Sequence, residues 1–236
     1  MPPQPPTAGP DRPPGTDVAA FDFDGTLCDG GSVFDFLTAV AGRPAVLRAV
    51  ARLTPRMVHA ALVGGTAADA TKEALFDEVL AGTPVDRAES VAVEFAASHL
   101  TRHLRPTMRR RLDWHRGRGD RVVIVSASPE LYVREAGRLL GVDDVIATGL
   151  AVDGEGRLTG RYQGLNCRGE EKLRRLEAWI HASGAQTGRL WAYGNSRGDL
   201  RMLRAADVGV NVGRLGRLGR LRSFPSLHDV IPPPPE

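Results

Sequence analysis

Six polar side chains stand where structured runs of this chain begin or end, and their types together suit phosphate chemistry. Asp22 and Asp24 close the apolar run 18–23, Ser126 follows the β-branched run 122–125, and Asn195 and Asp199 follow 190–193. Lys172 lies near the start of a helical stretch over 170–182. Paired carboxylates can supply a nucleophile and a general acid–base group. Oxygen donors with few soft atoms favour Mg²⁺, and a divalent ion with a lysine makes a cation clamp for a moving phosphoryl group.

These residues meet only if the elements behind them form one sheet edge. Short apolar runs at 18–23, 121–125, 145–148, 190–193 and 208–212 predict strands, and helical patterns over 129–140, 170–182 and 199–205 alternate with them. Strand alternating with helix predicts a doubly wound α/β core with a parallel sheet and helices on both faces. In such a sheet, ligands bind beyond the carboxyl ends of the strands, where the six residues fall. Adjacent strand positions alternate faces, so Asp22 and Asp24 share the site only if the chain bends at Gly25. Gly-rich turns around Asp153-Gly154-Glu155-Gly156 predict a small hairpin.

Between residues 29 and 117 the helical pattern has no strand competitor, which predicts an all-helical cap inserted after the first strand. Ser32 is expected to cap a helix over 33–40, and Pro84 to open another near 85–100. Gly42-Arg43-Pro44, Thr54-Pro55 and Gly64-Gly65 are expected to break the remainder into short helices. The core then comprises 17–28 and 118–213. A Pro-rich tail over 1–16, expected to be disordered, and an Arg/Leu/Pro-rich tail over 214–236, expected to be a solvated extension, flank it.

Composition narrows the partners. The 236 residues carry a net charge of +3, too small a basic excess to argue for nucleic acid, and 42% are hydrophobic, as in ordinary globular chains. No run approaches the roughly 18 apolar residues of a membrane span, and the N-terminus lacks an export signal's apolar core. The expectation is a cytoplasmic protein with a small phosphorylated substrate. Cys28 and Cys167 fit no metal spacing and read as free thiols, Cys28 as a small packed residue near the site.

The motifs also carry a resemblance. Phe21-Asp22-Phe23-Asp24-Gly25-Thr26-Leu27, the run 123–128 ending in Ser126-Ala127-Ser128, Lys172, and Tyr193-Gly194-Asn195-Ser196-Arg197-Gly198-Asp199 resemble the four motifs of the haloacid-dehalogenase superfamily, in the family order. The helical insert is similar to the cap of subfamily IB, which includes phosphoserine phosphatases and phosphatidylglycerophosphate phosphatases. The resemblance implies that Asp22 attacks phosphorus and Asp24 serves the leaving alcohol and then the water. Ser126 and Ala127 would meet the phosphoryl oxygens, and Lys172 would offset anionic repulsion. Mg²⁺ would use Asp22, the Asp24 carbonyl and a motif-four side chain. Two departures stand out. Asn195 occupies a position usually held by Asp, leaving Asp199 to compensate through a metal-bound water. Gly30-Gly31 replace the Glu that meets the ammonium of phosphoserine, which disfavours that substrate.

Other features have plainer readings. Gly194-Asn195-Ser196-Arg197-Gly198 is a literal Gly-x-Ser-x-Gly, but the only histidine downstream is His228, in the tail. His99 and His103, four residues apart, read as a solvated helix pair rather than a metal site. Arg214, Arg217, Arg220 and Arg222 with interleaved leucines could touch an anionic membrane, yet read first as a solvated tail.

Overall fold

The computed structural model describes residues 16–182, 187–213 and 224–226. Five strands form one parallel sheet in the order β3-β2-β1-β6-β7: β1 (Thr16–Phe21), β2 (Arg121–Pro129), β3 (Asp144–Thr148), β6 (Thr187–Gly194) and β7 (Val208–Asn211). The chain winds outward from β1 to β3, returns to β6 on the other side of β1, and ends at β7. Its direction of winding therefore reverses at β1, the topological switch where such sheets bind ligands. The doubly wound α/β fold expected from the pattern is the fold observed.

Strand alternation builds two cores. Ala19, Phe21, Val122, Ile124, Trp191, Tyr193 and Val210 point to one face. Val18, Ala20, Val123, Val125 and Ala192 point to the other, against Leu176, Met202 and Leu203. Leu176 comes from α7 (Glu170–Ala182), and the latter two from α8 (Leu200–Ala205). The first face is covered by α5 (Pro106–Gly117) and α6 (Glu130–Leu140). There the buried His115 ring bonds Asp120 and the Tyr193 hydroxyl, each at 2.8 Å, while Tyr193 stacks on Phe21.

Helices α1 (Val33–Ala41), α2 (Arg43–Val63), α3 (Gly65–Leu80) and α4 (Val85–His103) follow the first strand. A hairpin of β4 (Leu150–Val152) and β5 (Leu158–Tyr162) lies against α3, where a Cβ on Gly160 would strike the Asp77 and Phe76 backbone. Gly42 and Gly64 end α1 and α2 as expected, both at positive φ. Thr54-Pro55 does not break the chain: α2 runs through it. Proline removes one hydrogen bond at a cost of about 3 kcal/mol, and the buried Val46, Ala49, Leu53 and Ala60 hold the helix despite it. Among the described residues no helix is long and apolar enough to cross a membrane.

Candidate active site

Strand register sets the level of the site. Phe21 pairs with Ile124 on one side and Tyr193 on the other, so Asp22, Ser126 and Asn195 emerge within two residues of one line across three neighbouring strands. The strand ends at Phe21, two residues earlier than the apolar run suggests, because the backbone turns at once: the Leu27 amide bonds the Asp22 carbonyl and the Cys28 amide bonds that of Phe23. Gly25, at φ +74, allows the turn and leaves room for a neighbour. A Cβ there would fall within the Asn195 amide. Phe23 and Cys28 go into the core, while Asp22 and Asp24 line one cavity of about 590 Å³.

Lys172 is the electrostatic centre. Its ammonium, 1% exposed, donates to Asp22 Oδ1 at 2.8 Å and to Asp199 Oδ1 at 2.5 Å. Burial alone would lower its pKa, but the charges of Asp199 and Asp22 prevail and hold it above the ordinary lysine value. Asp22 is pushed up to about 7, first by burial and then by the Asp199 charge, with Lys172 and a 2.8 Å hydrogen bond from Thr26 pulling the other way. Asp199 is held low: burial opposes this, but Lys172 and the Ser196 bonds outweigh it. Its Oδ2 accepts the Asn195 amide, the Ser196 amide and the Ser196 hydroxyl. With Lys172 on Oδ1, four hydrogen bonds occupy this carboxylate. Asp199 is thus a scaffold for the loop 194–199 and for the lysine.

The Asp24 carboxylate accepts the Ser32 amide and hydroxyl, both at 2.9 Å, and the Ser128 hydroxyl at 2.5 Å. Neither serine caps a helix: α1 and α6 start without a side-chain cap, because both hydroxyls turn to Asp24. Ser32 Oγ also lies 2.6 Å from the buried Tyr132 hydroxyl. Ser126 Oγ accepts the Ser128 amide at 3.0 Å, leaving its own proton for an oxygen in the cavity. Register with β3 lapses between Val125 and Pro129, so the segment holding Ser126 and Ala127 faces the cavity instead of a partner strand.

Several contributors escaped sequence reading. Lys72, from α3, reaches the cavity and donates to the Ala127 carbonyl at 2.7 Å. Burial lowers its pKa to about 8. Arg168 lines the cavity, and Arg105 ties the Gly25 carbonyl (3.1 Å) to that of Val212 (3.2 Å). Each is a basic residue among many in the sequence, and only tertiary placement separates it from a solvated charge. Met57, Ala60, Ala61, Ala68 and Leu75 add an apolar wall.

The Ser196 hydroxyl belongs to a capping box with Asp199, and among the described residues no histidine bonds it. His228 and the four tail arginines lie outside the described residues. His99 departs from expectation: it is buried, and among the described residues neither ring nitrogen has a hydrogen-bond partner.

An acid pair bridged by a buried lysine, at the switch point of a doubly wound sheet, defines a hydrolase of the phosphatase-like kind. The chain belongs to the haloacid dehalogenase-like hydrolase family, which matches residues 19–204. It is 37% identical over 190 residues to Protein CicA of Caulobacter vibrioides, covering 80% of this chain and 83% of that one. It is 30% identical over 122 residues to a histidinol-phosphatase of Neisseria meningitidis, covering 50% and 55% respectively. A Bordetella pertussis protein of unknown function has a similar structure, with a TM-score of 0.74 and 25% identity over 89% of this chain and 98% of that one. A substrate-bound phosphoserine phosphatase shares the fold with a TM-score of 0.57 and 19% identity, covering 84% and 86%.

Proposed function

We propose that the protein is a magnesium-dependent phosphomonoesterase that works through an aspartyl-phosphate on Asp22. The observation that carries this reading is the buried Lys172 ammonium, 2.8 Å from Asp22 Oδ1 at the floor of a cavity also lined by Ser126. An Asp22 oxygen attacks phosphorus as the bond to the leaving oxygen breaks, and Asp24 gives that oxygen a proton. Asp24 then takes a proton from water, whose oxygen attacks the same phosphorus and releases the Asp22 carboxylate. Ser126 and the Ala127 amide orient the phosphoryl oxygens, and Lys172 offsets the repulsion between the carboxylate and an anionic substrate.

The donor set suits magnesium. Asp22 contributes a carboxylate, and neither the Asp24 carbonyl nor the Asn195 side chain is engaged in a hydrogen bond among the described residues. When bound, the ion would supply Lewis-acid neutralisation of phosphoryl charge. Asn195 brings an oxygen without charge, so affinity would fall below that of a carboxylate at the same place. Asp199 would act through Lys172 and its loop instead of as a ligand.

A small phosphorylated metabolite is the substrate class this reading favours. The wall of Met57, Ala60, Ala61 and Leu75 also suits a phosphate carried on an apolar group, including a lipid phosphate. The deciding assay is phosphate release from p-nitrophenyl phosphate with Mg²⁺, for the wild type and Asp22→Asn. The reading expects turnover that EDTA abolishes and that the variant lacks; equal rates in the two proteins would refute it.

A further inference from the structure

We propose a second metal site, outside the cavity of phosphoryl transfer, in which Asp35, His99 and His103 hold a borderline divalent transition ion of the zinc class between α1 and α4. Asp35 projects from α1, and the two histidines stand four residues apart on one face of α4. Their potential ligand atoms all lie within 4.8 Å of one another. Two imidazoles and a carboxylate make a three-ligand set that leaves one position open, and imidazole nitrogen selects zinc-like ions over magnesium.

A second observation points to a ligand independently of this grouping. His99 is 1% exposed, and both of its ring nitrogens are buried without a hydrogen-bond partner among the described residues. A buried polar group left unmatched costs about 1–3 kcal/mol, and native interiors leave few such groups. The ring lies against Phe95, with Phe23 further off, and neither supplies an acceptor. The donors beside it are His103 and Asp35: His103 is half-buried, Asp35 is exposed, and the two imidazole centroids are 4.6 Å apart. An ion there satisfies the orphan nitrogen. Burial first, and then the His103 charge, hold His99 below the usual imidazole range, and the neutral ring is the form that ligates.

Ligands on a tetrahedral zinc stand about 3.3 Å apart for bonds of about 2.0 Å. The widest pair must therefore draw in by about 1.5 Å, through rotation of Asp35 and His103, the two side chains with solvent beside them. Among the described residues the second His99 nitrogen has no outer partner of the kind metal-bound histidines usually have, so affinity should be lower by about 10–100-fold than in a complete site. Occupancy would pin α1 to α4. Because α1 starts just after Ser32, which bonds Asp24, the pin would stiffen the cap beside the catalytic carboxylates.

The test is calorimetric titration of Zn²⁺ into the full chain, with Co²⁺ visible absorption as a second probe and thermal unfolding as a third. One equivalent should bind the wild type, with tetrahedral d–d bands for Co²⁺ and a rise in Tm. His103→Gln and Asp35→Asn should each weaken binding at least about tenfold and abolish the Tm rise, while phosphate release with Mg²⁺ stays at the wild-type rate without added zinc. Asp22→Asn should keep the full zinc response, which separates this site from the catalytic one. Binding that survives both cap variants, or that is lost in Asp22→Asn alone, overturns the proposal, as does absence of binding to the wild type.

Discussion

Lys172→Met keeps the volume of the side chain and removes its charge, so it measures what the ammonium does for the two carboxylates. Both bonds, at 2.8 Å to Asp22 and 2.5 Å to Asp199, are buried. Removing one member of a buried ionic group costs about 3–5 kcal/mol, since the charges left behind keep no partner. The site has one escape, which is to bind a proton. Asp22 already sits near 7 with the lysine present, and without it the acid pair should titrate higher still. A carboxyl group whose folded pKa lies above its unfolded value of about 3.9 keeps a proton that the unfolded chain gives up, so stability falls as pH rises between the two values. From about pH 6 to pH 8 the wild type should lose about 1.4 kcal/mol by this route, and a variant whose acid pair still keeps its proton at the higher pH about 2.7. The deficit of Lys172→Met should therefore widen by about 1.3 kcal/mol on going from about pH 6 to pH 8. Urea unfolding in EDTA, followed by fluorescence of Trp114 and Trp191, reads it directly. A deficit that is the same at both pH values, or smaller at the higher one, would show that the lysine is not what lets two buried carboxylates ionise together.

Three further outcomes follow from the geometry. Asn195→Asp should lower the magnesium concentration for half-maximal rate, measured by titrating Mg²⁺ in the p-nitrophenyl phosphate assay, because a carboxylate adds charge to the ligand set. Gly25→Ala should fold with a penalty of about 1 kcal/mol for positive φ and lose most phosphate release, because the new methyl must displace the Asn195 amide; normal kinetics would mean that this close approach is irrelevant to turnover. Lys72→Met should raise KM about tenfold with kcat little changed, the equivalent of about 1.4 kcal/mol of substrate binding. The wild type should also lose kcat/KM as pH rises through about 8, where Lys72 discharges, and the variant should lack that limb.

The core was legible because its signals are local. β-Branched runs such as 122–125 and the alternation of Val18, Ala19, Ala20 and Phe21 between two faces state their pairing in one dimension. What hid were features in which tertiary packing overrides a local rule. Pro55 should end a helix, but α2 has a buried stripe on both sides of it. Ser32 looks like a cap, and only the folded chain shows that its hydroxyl meets that of Ser128 at Asp24. The His99-x-x-x-His103 spacing suggested one shared face; that this face turns inward depends on Phe95 and Phe23, which the helix period alone does not reveal. At the site, motif residues announced Asp22, Ser126, Lys172 and Asn195, whereas Lys72 and Arg105 lack any sequence context that sets them apart from the other basic residues.

Asn195 is wedged between two absent methyl groups. A side chain on Gly25 would overlap its amide, and a Cβ on Gly213 would stand 2.7 Å from its carbonyl oxygen and 3.1 Å from its Cβ. Bulk at this place is therefore constrained, whereas amide and carboxylate share one outline. Exchanging that single isostere would retune how firmly the proposed site holds a divalent ion, with no change of shape asked of its neighbours.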